Sequence, residues 1–421
     1  MNNREEKRLS LLMLVLGISA VTGLALAVYR FFNGIGAVSN LSDGYPWGLW
    51  VAVDIMAGVA LASGGFVVLG TVHLFGGKRF APMARPAVLT AFLGYILFSV
   101  GLVVDMGRPW HMFYIMIGNH DSPLYEIGWC ASFYTFVLFL EIIPAVFDRF
   151  HRHRLHDLWK KIVPYMVISL LTLFTWAMTF SFVWALIVAA ILIAWEAAMW
   201  KGLLKKDDEV PILLITAGVI FSFLHQSSLG TLYILAGQKL NPLWHSPLLP
   251  VLFLLSAIAA GVAMVAMEAI LTDKLLNHKS DRALLSSFVS RMPLILCLYL
   301  LLKASDILSR NIGRDVFAPG IPALFWGMEI FLGVIVPLLL FSIPKITRTK
   351  TGIFVASFLV VAGVVLNRVN VAIIGINIPR WEHYYPSLGE ILITLGIISA
   401  GIIAFTWISG NFPIHHKKAE A

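Results

Sequence analysis

FSFLHQSSLG, residues 221–230, interrupts an apolar run from Ile212 to Ala236 with four consecutive polar side chains, His225, Gln226, Ser227 and Ser228. Without them the run is a membrane span, because about 20 apolar residues at a helical rise of about 1.5 Å cover a hydrocarbon core of about 30 Å. The rest of the chain decides the matter. Of 421 residues, 59% are hydrophobic and only 13% charged; a soluble globular protein is roughly half apolar and a quarter charged. Long apolar runs recur from Leu9 to Ser409. The fold class is therefore all-α, a polytopic membrane helical bundle of 10–12 transmembrane helices.

Candidate spans fall at 10–32, 47–75, 86–105, 124–147, 162–180, 182–200, 210–236, 248–271, 288–306, 322–343, 352–374 and 388–409. With the N-terminus inside, the inner segments hold 22 of the 31 lysines and arginines, while the outer loops hold only Arg108, Lys239, Arg310, Arg314, Arg368 and Arg380. The positive-inside rule then makes the N-terminus cytoplasmic and the protein a multi-pass one of the cytoplasmic (inner) membrane. The net charge of +8 comes from these loops and implies no nucleic-acid partner. The first run follows Arg4, Lys7 and Arg8 and is too long for a signal-peptide core, so it reads as a retained helix. Residues 162–200 are apolar between two basic flanks. A tight turn near Thr179–Phe182 makes them two short spans; a re-entrant hairpin would leave ten spans. The chain reads as one integral-membrane domain over 1–421, with helical bundles at about 10–147 and 210–409 and an extra hairpin at about 162–200.

Charged groups inside a bilayer are costly and mark candidate functional positions. Counting helical rise puts Asp54 and Glu329 about 10 Å, and His225 about 8 Å, below the outer surface. Lys303, Asp306 and Arg368 sit near outer span ends, and Asp105, Glu126 and Glu390 at outer boundaries. Glu141, Glu196, Glu268 and His73 fall toward the inner side. There they either pair with the basic loops or begin a proton route, continued by Glu329, Lys303 and Asp306. Lys303, Asp306 and Arg310 share a helix face and read equally as an internally neutralised cluster. Asp105 and Arg108 read as a helix-end ion pair or as part of an outer mouth.

Two cysteines, Cys130 and Cys297, are too few for an iron–sulfur cluster, which usually takes four. Only His73 and His225 of twelve histidines lie in spans, at opposite depths, so no bis-histidine haem pair is expected. No metal site is expected either: HRHRLH at 151–156 reads as a basic inner loop, and Gly64–Gly65 as a close helix contact. Quinone chemistry remains for the polar stretch. A quinone ring needs donors to its carbonyls, a proton exchanger and an apolar path for its tail. His225 titrates near neutrality, Asp54 is the coupled acid–base group, and Gln226 and Ser227 supply hydrogen bonds. Trp47, Trp50, Phe221 and Phe223 suit the ring and tail, and Asp105, Arg108 and Glu126 complete the mouth. The competing reading of His225 is a polar contact between helices.

GYPWGLWVAVD (44–54) and ASGGF (62–66) resemble the second-helix region of the NrfD, or polysulfide-reductase membrane subunit, family. DMGRPW (105–110), LHQSSLGTLY (224–233), NPLWHS (241–246) and LKASDILSR (302–310) resemble its longer branch, as does the region from Arg368 to Glu390. That branch includes membrane subunits of hydrogenase-2-type nickel–iron hydrogenases and of sulfite-reductase-associated menaquinol oxidoreductases. The resemblance implies a helical subunit without its own redox cofactor. Such a subunit binds menaquinone near the outer face and anchors a periplasmic, ferredoxin-like iron–sulfur subunit there, with further redox subunits beyond. The 162–200 hairpin departs from the usual ten-span form. A secondary transporter and a purely structural anchor are the alternatives; transporter sites favour the bilayer midplane, whereas the charges here collect toward one face.

Overall fold

A computed structural model describes residues 3–45, 47–203, 211–275, 280–377 and 384–414; Arg380 lies outside them. Among the described residues, twelve helices are long and apolar enough to cross a membrane: α1 (Ser10–Asn33), α2 (Trp50–Leu74), α3 (Lys78–Asp105), α4 (Pro123–Arg149), α5 (His153–Thr179), α6 (Phe182–Trp200), α7 (Ile212–Ile234), α8 (Leu249–Asp273), α9 (Arg282–Ser309), α10 (Ile321–Ser342), α11 (Lys350–Ile374) and α12 (Leu388–Asn411). The all-helical expectation holds, and residues 162–200 lie in two helices, each long and apolar enough to cross. The turn between α5 and α6 is made by Phe180 in a left-handed conformation (φ 50°) and by Ser181, whose hydroxyl caps α6.

The loops gather at two faces. On one, called the aromatic face here, Asn40 donates to the Tyr385 carbonyl, Tyr45 to that of Ile373, and the Asn241 amide to that of Gly375. On the other, the basic face, Arg85 bonds Asp148 and the Pro413 carbonyl, and Lys350 pairs with Asp273.

α2 lies at the centre; 78% of its span is buried within the protein. Small residues allow this. A Cβ on Gly64 would come within 2.6 Å of Val265 on α8, and one on Gly65 within 2.7 Å of Ala91 on α3. These glycines are the close helix contact that the sequence suggested. α2 is also irregular. It is π-helical over Trp50–Ala57 and Gly70–Leu74 and breaks at Ala62–Ser63. At the break the Ser63 amide bonds the Ala60 carbonyl, leaving that of Val59 without its usual helical donor. The Gln226 amide of α7 supplies one at 2.9 Å. A backbone carbonyl in hydrocarbon must find such a partner inside the protein. One residue of the opening stretch is therefore a brace for α2.

α3 and α7 pack on α2, α4 packs on α3 and α7, and α5 leans on α4 and α7. α8 to α11 form a second group, joined to the first through α8 against α2 and α7. α1 pairs with α12, where Gly23 and Gly396 meet, and α12 rests on α3. α6 packs chiefly on α5 and exposes Phe182, Val183, Trp184 and Leu186, an apolar flank suited to lipid.

Candidate functional site: an apolar cavity below Asp54

A cavity of about 410 Å³ lies between α2, α3, α8, α11 and α12. Val53, Ala57, Gly58 and Leu61 form its α2 wall, and Thr90, Leu93, Gly94 and Leu97 its α3 wall. The α3 residues recur at helical spacing on one face. Leu271, Ile398 and Ile402 line the cavity and are also exposed on the flank of the bundle, so its mouth opens sideways, toward lipid.

Asp54 stands at the end nearer the aromatic face. Thr394 of α12 donates to its Oδ2 at 2.6 Å, while Oδ1 is buried without a partner. Gly101 of α3 is opposite, and a Cβ there would come within 2.8 Å of the Asp54 Cβ. Glu268 of α8 stands at the other end, where its carboxylate accepts from Thr90. From Gly101 to Thr90 the wall is about 16 Å long by helical rise. One void thus runs from a carboxyl with a free oxygen, past aliphatic side chains, to a second buried acid. The size is ordinary for a small-molecule site. An aromatic carbonyl or hydroxyl fits the Asp54 end, and an isoprenoid tail fits the apolar length and lateral mouth.

His225 is elsewhere. It is completely buried between Tyr95 and Phe98 of α3, with ring centroids 5.4 Å away in both cases, and neither ring nitrogen has a partner. Tyr95 and Phe98 lie on the face of α3 turned away from the cavity. Nor do the two groups share a depth. His225 sits beside residues three to six positions further from the α3 end than Gly101, so it is about 5–9 Å deeper than Asp54. The expectation of one site holding both gives way to two environments, because α3 stands between them.

The remaining expected positions separate in the same way. Trp47 packs on Tyr233 at 4.9 Å, and Trp50 is buried among Ala27, Val38, Val104 and Ile393. Ser227 donates to the carbonyls of Phe223 and Leu224 in its own helix. Arg108 is exposed in the loop after α3. Glu126 lines a different pocket, with His120, Asp121, Phe174 and Met178, between α4, α5 and α7. Glu141 is buried near Gly218 of α7 with neither oxygen partnered, and Glu268 bonds a threonine. Glu141 and Glu268 therefore do not pair with the basic loops.

Asp105 sits at the aromatic end of α3, in the electrostatic reach of Arg30, Glu390 and Asp54. Arg30 of α1 also donates to the carbonyl of Met106. The expected Asp105–Arg108 pair is thus replaced by a cation from α1, which the α1–α12 packing brings to the end of α3. Above it, Tyr384 donates to Glu390 at 2.5 Å and accepts from the Leu49 amide at 2.8 Å, and it stacks on Tyr45 at 4.8 Å. Burial pushes both phenols well above their usual range, and for Tyr384 the bond and charge of Glu390 push the same way. Both therefore stay neutral and serve as hydrogen-bonding struts.

In the second helix group Glu329 accepts from Trp244 at 2.9 Å and from Asn367 and Asn370 at 2.8 Å each. Lys303 and Arg368, both buried, lie within its electrostatic reach. Arg368 stacks on Phe253, 3.6 Å from the ring centroid, and bonds Ser256 at 2.9 Å. Asp306 takes the Arg310 guanidinium and the Ser246 hydroxyl. This is the neutralised cluster that the spacing allowed, enlarged by α8, α10 and α11. Glu329→Ala would strand three donors and two cations, so it is expected to cost about 3–5 kcal/mol. The chain should then fail to accumulate in membranes, whereas Glu329→Gln should accumulate at a reduced level; immunoblotting of membrane fractions checks both.

The cavity walls were missed in the sequence because they carry no charge. Their signal was a run of small and hydroxyl residues at helical spacing, Thr90, Gly94 and Gly101 on α3 facing Gly58 on α2. Gly94 and Gly101 let α3 approach Ala62 and Asp54 of α2 closely, while Gly58 leaves open space beside the cavity.

Residues 142–380 match the family model for polysulphide reductase, NrfD. A Nitratidesulfovibrio vulgaris protein is 33% identical, over 97% of this chain and 95% of its own length. The probable Ni/Fe-hydrogenase 2 b-type cytochrome subunit of Escherichia coli is 26% identical, also over 97% of this chain and 95% of its own. The menaquinone reductase integral membrane subunit of N. vulgaris is 23% identical, over 94% and 89%. The relatives include membrane subunits of reductase complexes, and the similarity runs nearly end to end rather than through one motif. With twelve apolar helices and the motifs of α2 and α7 in place, the chain belongs to the polysulphide reductase NrfD family.

Proposed function

We propose that the chain is the quinone-reactive membrane subunit of a respiratory oxidoreductase complex. It exchanges electrons and protons between menaquinol or menaquinone and an iron–sulfur subunit, and it anchors that subunit on the aromatic face. The excess of basic residues at the opposite face supports reading the aromatic face as the outer one of the cytoplasmic membrane. The observation that carries the reading is the cavity below Asp54, with its unpartnered carboxylate oxygen, apolar walls and lateral mouth.

In this proposal the quinone supplies the two-electron chemistry when bound. Asp54 holds or accepts the proton at Oδ1, and Thr394 fixes the carboxyl through Oδ2. Leu93, Leu97 and Leu61 exclude water along the tail, which keeps the proton on the ring–carboxyl line. Two relatives bear on the identity of the ligand, since one is named a menaquinone reductase subunit and another an Hdr-like menaquinol oxidoreductase subunit.

The test is reconstitution of the complex in liposomes. Quinol- or quinone-linked electron transfer that depends on this chain, with no solute uptake by the chain alone, is the expected result. Solute flux without quinone-linked turnover would replace the proposal with a transporter.

A further inference from the structure

Asp54 is not alone at its end of the cavity. Asp105 lies one helical turn beyond Gly101, which faces Asp54, and Arg30 of α1, Glu390 of α12 and Asp54 all lie within the electrostatic reach of Asp105 in a largely dehydrated site. Tyr233 of α7 also lies within the electrostatic reach of Asp105. These carboxyls are not equivalent. Glu390 is the N3 residue of the α12 capping box, and its oxygens accept from Tyr384 at 2.5 Å and from the Ser387 amide at 2.6 Å. That geometry suits an anion at a helix N-terminus. Asp54 and Asp105 each keep one buried oxygen, Oδ1, with no partner. Burying two further unpaired anions is expensive, so at least one of these two carboxyls carries a proton.

Asp105 also has a way out. α3 ends there, with Met106 in an extended conformation, and Gly107 and Arg108 are exposed. Asp105 itself is partly exposed, whereas Asp54 is buried. We infer that Asp105 is the proton relay between Asp54 and water at the aromatic face, with Arg30 and Glu390 as the fixed charges that keep the pair close to neutral. The inference rests on the proposed quinone reading of the cavity. In quinol oxidation each hydroxyl O–H bond breaks, its proton goes to an Asp54 oxygen, then to Asp105, then to water beyond Gly107. The two electrons leave to the iron–sulfur carrier of the complex. Quinone reduction runs the same path backwards. Asp105 does not touch the ring; it acts through Asp54. The consequence is directional: protons of the quinone reaction exchange at the aromatic face rather than at the face of the basic loops.

The test uses the intact complex in liposomes with a pH indicator on one side. Asp105→Asn should lower kcat by about 10²-fold, the scale of a lost proton-transfer group, while KM for quinol stays within about threefold. Small weak acids such as formate or azide should restore part of the rate, which a merely structural defect would not allow. The wild-type complex should exchange its quinone protons on the aromatic side. Unchanged kcat, a loss without rescue by weak acids, or proton exchange at the basic face overturns the relay. If Asp105→Asn does not assemble, Asp105→Glu decides. It keeps the acid and should retain most of the turnover; an assembled Glu variant without activity overturns the relay. Failure of the cavity reading looks different, because Asp54→Asn would then turn over normally.

Discussion

Asp54→Asn should reduce quinone-linked turnover by about 10²-fold or more while the complex still assembles, because a proton-exchanging carboxyl is removed with little change of shape. The amide oxygen of Asn can still accept from Thr394, so the local hydrogen bond survives. The contrast that gives the result meaning is His225→Phe. The histidine ring touches Tyr95 and Phe98 and has no hydrogen bond to lose. The somewhat larger apolar ring costs about 1–3 kcal/mol in packing, and turnover of the assembled complex should stay within about threefold. Steady-state kinetics of the two purified variants checks both. A dead His225→Phe complex beside an active Asp54→Asn complex would return the chemistry to α7.

Gly58→Leu should raise KM for quinol at least about tenfold, equivalent to about 1.4 kcal/mol of lost binding. Gly58 lines the cavity, and a Cβ there meets nothing nearer than the Val53 carbonyl oxygen at 3.7 Å. The backbone therefore tolerates the substitution, and the new side chain projects into the space assigned to the tail. Helix stability should not fall, since glycine is the weaker helix former. Bound quinone, measured by extraction from the purified complex, should fall in parallel. By contrast, the same change at Gly64 would drive a side chain into Val265 and the Gly261 carbonyl, and should disrupt folding rather than binding.

The sequence carried the architecture because span length and hydropathy are direct readouts of bilayer thickness. It placed nine of the twelve helices within a few residues, began α3, α5 and α9 six to nine residues late because their first turns are polar or basic, and left 162–200 open between two spans and a re-entrant hairpin, since no polar loop marks the turn. It also singled out Asp54 and Asp105 as candidates, since a carboxyl in or at the end of a span stands out against its neighbours. It did not reveal which face of α3 each partner meets. Linear depth counting put His225 and Asp54 at one level, but it carries no rotation about the helix axis. That rotation sends Thr90, Gly94 and Leu97 to the cavity and Tyr95 and Phe98 to His225. Nor could spacing foresee that Arg30, 75 residues before Asp105, would replace Arg108 as its cation; α1 reaches that position by packing along α12.

The polar stretch on α7 has accordingly changed role. Gln226 closes a broken turn of α2 through the Val59 carbonyl, Ser227 bonds its own helix, and His225 fills an aromatic box. These residues hold α2 and α3 in register, and α2 and α3 in turn shape the cavity.

The most direct measurement of the central claim is photolabelling of the membrane-embedded complex with a ring-azido quinone, followed by peptide mapping. Labels within 53–62 of α2, 93–101 of α3 or 394–401 of α12, abolished by excess menaquinone, are the predicted result. Competable labelling confined to 221–230 of α7, or to the Glu126 pocket, would contradict it.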